Sequence, residues 1–411
     1  MRYVMSIIIL VSLCACSENE KPEKTVSESG AALPLPEFSS DWLIFRGNPQ
    51  LTGAVTEKKL DLQSRVTAIK LLWSAEIREK PEKEGESSGF SSTPVIKGQK
   101  LFIGDNDGIV YALSCSDASI IWKYSTNAPI KASPSIYKNT LFIGNTDGVF
   151  TALDIVNGKK KWSFQTAGQI NGAANISLSK TNTDVIFGSY DNNLYALNTA
   201  DGKKRWSVTT GNFVNGTPAV SESQIIFGGC DGKLRFISPV TGEENFQIDS
   251  ESYIPASPTI AGGYCFTTLY SGKVLCVNIK NKQIEWSFED KKKKGSFINS
   301  PAIADDTLIA ASKNRTVYAI DKTSGEEIWQ FTGFAPFEAS PLIFKNTVIV
   351  ISDNGTIYLL DLKTGEEICK YETGENLTAA PSISGNTMFI ASEEGKIFAL
   401  QIISADKSLN K

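Results

Sequence analysis

From about residue 90 to residue 401, apolar and β-branched residues fall in short runs divided by turn residues. Between Ser133 and Phe164 the runs are SPSIY, TLFIG, GVFTALD and KKWSF. Asp147-Gly148 and Asn157-Gly158 mark two of the turns between them, because such pairs supply the positive φ of tight hairpins. No apolar run keeps helical spacing, so the stretch predicts four short strands.

The same unit recurs. A small residue followed by proline precedes an apolar run at Pro94, Pro134, Pro218, Pro258, Pro301, Pro341 and Pro381, with Ala174 standing in once. The spacings are 40, 40, 44, 40, 43, 40 and 40. A second marker, the turn before the third strand, starts at Asp107, Asp147, Asp191, Asp231, Ser271, Asn314, Asn354 and Glu394, with the same irregularities. Two independent markers in one rhythm define eight repeats. Four strands in a period of about 40 residues predict an all-β, eight-bladed β-propeller of antiparallel blades. A fourth-strand anchor appears at Trp122, Trp162, Trp206, Phe246, Trp286, Trp329 and Cys369, one short of eight. The last repeat ends at KIFALQ, so the missing strand is expected at the front, around Trp73, where it would close the ring and leave no open edge.

The first strand of each blade must crowd the central axis. Two residues before the marker stand Ser92, Ala132, Gly172, Gly216, Ala256, Asn299, Ala339 and Ala379, nearly all small. Four before it every residue is apolar, which predicts a layer packed between blades. The position between them varies: Ser91, Lys131, Asn171, Asn215, Pro255, Ile298, Glu338 and Thr378. If the channel mouth takes a small ligand, this ring would hold it, with Lys131, Asn171, Asn215 and Glu338 as its polar candidates. A water-filled, silent channel is the alternative.

Composition narrows the chemistry. Net charge is −4, which gives no reason to expect nucleic-acid binding. The chain has no histidine, which excludes His-dependent triads and His-ligated metal sites within it. Residues 1–16 combine a basic start, an apolar run and small residues, as a secretory signal does. The end of that run, Leu13-Cys14-Ala15-Cys16, resembles the bacterial lipobox, which implies cleavage before Cys16 and acylation of its side chain and amino group. By resemblance to enterobacterial sorting, Ser17 implies the outer membrane. Residues 17–40 are rich in charge, Pro and Ser and read as a disordered tether. Residues 41–70 form a lead-in, expected to cap the ring through Trp42 and Phe45, residues 71–401 form the propeller, and 402–411 a tail.

The segments ALDIVNGKKKW, ALNTADGKKRW, AIDKTSGEEIW and LLDLKTGEEIC resemble the A-x-D-x-x-T-G-x-x-x-W repeat of pyrroloquinoline-quinone-type propellers over about Leu71 to Gln401. That family has two branches. The quinone-dependent dehydrogenases carry adjacent cysteines against the quinone, a Ca²⁺ held by oxygens, and an acidic base. The other branch is the non-catalytic BamB-type lipoproteins of outer-membrane β-barrel assembly. Here no two cysteines adjoin, and the ring offers one Lys and one Glu, too few for a tricarboxylate and a calcium site. The resemblance therefore implies a non-catalytic, periplasm-facing scaffold with no cofactor. It would be held by its lipid anchor, act as a monomer within a complex, and contact a membrane-protein assembly partner through propeller loops. The alternatives are a quinoprotein dehydrogenase and a surface lipoprotein binding a glycan or peptide. Cys265 and Cys276 flank the turn at Ser271-Gly272, and a register with Leu269 opposite Gly272 would place them for a disulfide. The run Lys291 to Lys294 reads as a solvated loop, with an acidic partner as the other reading.

Overall fold

The structure, a computed structural model, describes residues 13–15, 41–55, 65–77, 89–179 and 182–405. Cys16, the segment 17–40 and the end of the tail lie outside the described residues. Eight four-stranded antiparallel sheets follow one another in chain order, without helices among the described residues. Blade 1 comprises Val95–Lys97, Lys100–Gly104, Ile109–Ser114 and Ile120–Ser125. Blade 8 comprises Ser382–Ser384, Thr387–Ala391 and Lys396–Ala405, and its outermost strand is Arg65–Glu76 from the other end of the chain. In that pairing Trp73 lies opposite Ala399, as the missing anchor required. Residues 13–15 add a short strand outside it, Leu13 opposite Lys70, in a stretch that lipobox processing would remove.

The burial of each strand explains its composition. Middle strands are sandwiched between neighbouring blades and bury both faces, so Leu141–Gly144 is a continuous apolar run. Outermost strands touch a neighbour on one side only, so Lys160–Gln165 alternates exposed and half-buried residues. At the turn before the third strand, the second residue has positive φ in every blade, Asn192 (+69°) and Arg315 (+70°) included.

The paired glycine and tryptophan of the repeat meet across blades. The ring of Trp122 in blade 1 covers Gly158 of blade 2, where an added Cβ would lie 2.7 Å from it, and its Nε1 donates to the Ile155 carbonyl at 3.1 Å. Trp162 does the same with Gly202 and Thr199, Trp286 with Gly325 and Lys322, and Trp329 with Gly365 and Leu362. Trp73 closes the series by donating to the Cys115 carbonyl of blade 1. Cys369 now has an explanation. It faces blade 8, whose outer strand comes from the distant N-terminal segment, so no glycine turn exists there for a tryptophan to cover.

One expected register fails. Cys265 pairs with Val277, and Cys276 pairs with Phe266, because Leu269 N–H bonds the Lys273 carbonyl and shifts the hairpin by one residue. A shift of one sends the two thiols to opposite faces of the sheet. Cys265 packs with Leu275 and Val277, and Cys276 with Phe266 and Leu308, so both are free thiols and no disulfide links them.

The lead-in goes further than a cap. The first strand of each blade leaves one backbone amide pointing at the axis, two residues after the marker. Ile96 bonds to the carbonyl of Trp42, Ile136 to Leu43, Val220 to Pro49, Ile260 to Gln50, Ile303 to Thr52 and Ile343 to Gly53. Blade 3 uses a side chain, with Asn175 Nδ2 donating to the Pro49 carbonyl at 2.8 Å. The segment 42–55 thus visits blades 1 to 7 in order and closes one end of the channel. It ends as a short parallel strand, Ala54–Val55, beside Ile343–Phe344. Arg46, 2% exposed, donates from the plug to the Pro301 and Pro341 carbonyls. Burial lowers its pKa to about 9, which leaves it charged at neutral pH.

Candidate binding face

The other end of the channel opens into a cavity of about 180 Å³. All eight positions three before the marker line it, and Phe45 of the lead-in joins the lining. Its wall is built by close packing at the axis. A Cβ on Gly172 would lie 2.5 Å from the Asn215 carbonyl oxygen, and Asn299, the one large exception, donates to the Phe337 carbonyl at 3.0 Å. Hydroxyls stitch adjacent blades. The amides of Thr93, Thr217, Ser257 and Ser300 donate to Ser133, Ser257, Ser300 and Ser340 Oγ, at 2.8–3.0 Å.

The four candidate residues meet at this cavity but differ in freedom. Asn215 is committed: its Nδ2 donates to the Pro255 carbonyl at 3.0 Å and its Oδ1 accepts from Tyr190 Oη at 2.6 Å. Glu338 pairs with Lys313 at 2.6 Å, a contact that raises the Lys313 pKa. Asn171 Nδ2 reaches Gln169 at 3.3 Å, while its buried Oδ1 has no hydrogen-bond partner. Lys131 is exposed and forms no ion pair or hydrogen bond among the described residues.

Two further residue positions shape the rim, and sequence reasoning missed both. In every blade, the residue before the mouth turn donates its amide to the residue five before the marker, as Tyr190 does to Gln169, Cys230 to Phe213 and Tyr270 to Tyr253. Over blades 3 to 5 these positions are mostly aromatic. Tyr190 and Phe213 stack with centroids 4.6 Å apart and planes at 3°, and Tyr253 and Tyr270 sit 6.5 Å apart, 58% and 53% exposed. Over blades 6 to 8 the residue before the turn is Lys313, Asp353 or Glu393, and its partner is Ser296, Pro336 or Asn376. Desolvation, helped by the charge of Glu338, raises the Asp353 pKa. Aligning the repeats on their prolines would have exposed this division. Nearby, Asp105 is buried in the blade 1 turn, where it accepts from the Ile109 amide at 2.7 Å and Tyr111 Oη at 3.0 Å. Desolvation outweighs those bonds and raises its pKa to about 6.

A closed eight-bladed ring with glycine-tryptophan pairs between blades, one plugged end and one open polar mouth is a propeller of the pyrroloquinoline-quinone type. Within that class the chain belongs to the family described as "Outer membrane protein assembly factor BamB", which matches residues 64–212, 191–331 and 283–408. No curated protein matches the chain in sequence. Among solved structures, BamB from Moraxella catarrhalis superposes with a TM-score of 0.68 at 19% identity, covering 81% of this chain and 97% of its own. Quinohemoprotein alcohol dehydrogenase from Comamonas testosteroni superposes at 0.71 with 12% identity, covering 88% and 80%. The computationally designed Ika8 protein reaches 0.67 with 16% identity, covering 78% and 98%. At these identities the structural likenesses show the fold alone.

The residues at the mouth do not fit a tricarboxylate quinone and its calcium. Ca²⁺ takes about six to eight oxygen ligands. Glu338 is already held by Lys313, and among the described residues no three Cys, Asp or Glu side chains gather to hold a metal. Among the described residues of the ring the free cysteines are Cys115, Cys230, Cys265, Cys276 and Cys369, no two adjacent in sequence.

Proposed function

We propose that the chain is a non-catalytic scaffold supporting outer-membrane protein assembly through its propeller loops. It would be anchored by lipid on Cys16 to the outer membrane and face the periplasm. The observation that carries this reading is the family match along nearly the whole ring, from residue 64 to residue 408. The composition of the mouth adds to it, since Asn215 and Glu338 are already spent on structural bonds and leave too few oxygens for a redox centre with its calcium. The partner would be a membrane-embedded component of the assembly machinery, met by one propeller held as a monomer within that complex.

Crosslinking in the native membrane followed by mass spectrometry tests the proposal. A β-barrel assembly component crosslinked to a loop is the expected result. Repeated capture of unrelated proteins alone would overturn it, as would dye reduction on adding the quinone with Ca²⁺. The anchor is tested separately, by the mass of the mature N-terminal peptide, and an unacylated Cys16 would remove that part.

A further inference from the structure

We infer that the open mouth binds a neutral oligosaccharide. This is a ligand site separate from any scaffold contact, and it rests on the division of the rim and on which polar groups remain uncommitted.

The first observation is the aromatic arc. Tyr253, Tyr270 and Phe213, the last 42% exposed, show large ring surface to solvent on consecutive blades; none lines the polar cavity itself, but Phe213 and Tyr253 lie two residues before its lining residues Asn215 and Pro255. Large exposed rings gathered on one rim mark recognition surfaces. A pyranose offers a flat face of slightly positive C–H groups, which suits the negative face of an aromatic ring. The flat stack of Tyr190 on Phe213 is fixed to the cavity wall, because Tyr190 Oη bonds Asn215. A platform held in place before binding limits the ordering cost of association.

The second observation is the cavity. Its wall is rich in Ser, Thr, Asn, Gly and Ala, with no deep apolar slot for a hydrophobic side chain. Asn171 Oδ1 and Asn299 Oδ1 have no hydrogen-bond partner but are buried in the wall, so the uncommitted charged group that faces solvent is the Lys131 ammonium. A sugar hydroxyl can accept from that ammonium and can also donate to or accept from the Ser and Thr hydroxyls of the wall.

The third observation separates a glycan from a peptide. Extended peptides gain affinity by adding a strand to a free sheet edge. The axial amides of blades 1, 2 and 4 to 7 are already bonded to the lead-in, at the far end of the channel. The mouth presents turns whose amides bond to neighbouring loops. A polypeptide would find no ladder there. Charge then selects among glycans: Glu338 is neutralised by Lys313, and Lys131 alone is a weak lure for a polyanion.

The test uses the full mature lipoprotein in a detergent without a sugar headgroup. Maltohexaose, cellohexaose and chitohexaose are titrated by calorimetry. Saturable binding of at least one is expected. Tyr253→Ala with Tyr270→Ala should weaken it about tenfold or more, while Phe334→Ala, whose ring lies under Lys370 of the outermost strand of blade 7, should leave it unchanged. Unchanged thermal midpoints would show that all variants fold. Three results would overturn the inference: no binding of any of the three up to millimolar concentration, binding that the double variant leaves intact, or saturable binding by an extended Tyr-rich peptide or by polygalacturonate in place of the neutral hexaoses.

Discussion

The two ends of the channel have opposite designs. At the plugged end, backbone amides at one repeated position are spent on the lead-in, and a buried arginine locks it. At the mouth, the equivalent repeated positions differ from blade to blade, mostly aromatic over blades 3 to 5, with one charged residue in each of blades 6 to 8. Eight similar units must fill the axis, so variation is costly where blades and plug interlock and cheap where side chains face solvent. The interlocking contacts therefore concentrate at one end and the sequence variation at the other.

The sharpest way to break this contrast is Arg46→Ala. It removes two charge-assisted hydrogen bonds and orphans buried carbonyls, so a loss of about 2–4 kcal/mol is expected, read as a lower thermal midpoint. An unchanged midpoint would mean that the plug is not coupled to the ring. Next comes Asp105→Asn, the mouth's one strongly buried carboxylate. Folded Asp105 keeps its proton up to about pH 6, above the unfolded value, so the stability it contributes is complete below the unfolded pKa and lost as pH rises through about 6. Asparagine has no such loss, and Asn145 already makes the same turn bonds in blade 2. The variant should gain on the parent by about 1–3 kcal/mol between pH 4 and pH 7, measured as denaturant midpoints across that range. A flat difference would place the charge elsewhere.

Smaller effects complete the series. Asn175→Ala unties blade 3 from the Pro49 and Pro218 carbonyls and should cost about 1–2 kcal/mol by the same unfolding measurement. At the mouth, Tyr253→Ala should change stability by less than about 0.5 kcal/mol, since an exposed ring buries little. A large loss there would erase the distinction between the ends.

What was legible in the sequence follows from repetition. Seven marker prolines and Ala174 placed eight inner strands, the count of anchors put Trp73 in blade 8, and the residues three before each marker all reach one cavity. The path of the lead-in was not legible, because it works through backbone carbonyls of Leu43, Pro49, Gln50 and Thr52, which leave no periodic side-chain signal. The cysteine pairing failed for a local reason: a five-residue turn and a four-residue turn differ by one residue, and one residue swaps the faces of a strand. The aromatic arc was overlooked because each ring falls in a loop that looks ordinary until the blades are aligned.

The closing strand also has a temporal consequence. Residue 65 pairs with residue 405, and residue 76 with residue 396, so the first blade strand made finds its partner in the last. During synthesis Arg65–Glu76 must wait as an orphaned edge, a template for wrong pairing while seven blades form. Contacts of such sequence separation slow folding, because loop closure must precede any gain from pairing. A chain arrested just short of Lys396 would carry nearly every blade and still lack its latch, so the ring is completed in one late step.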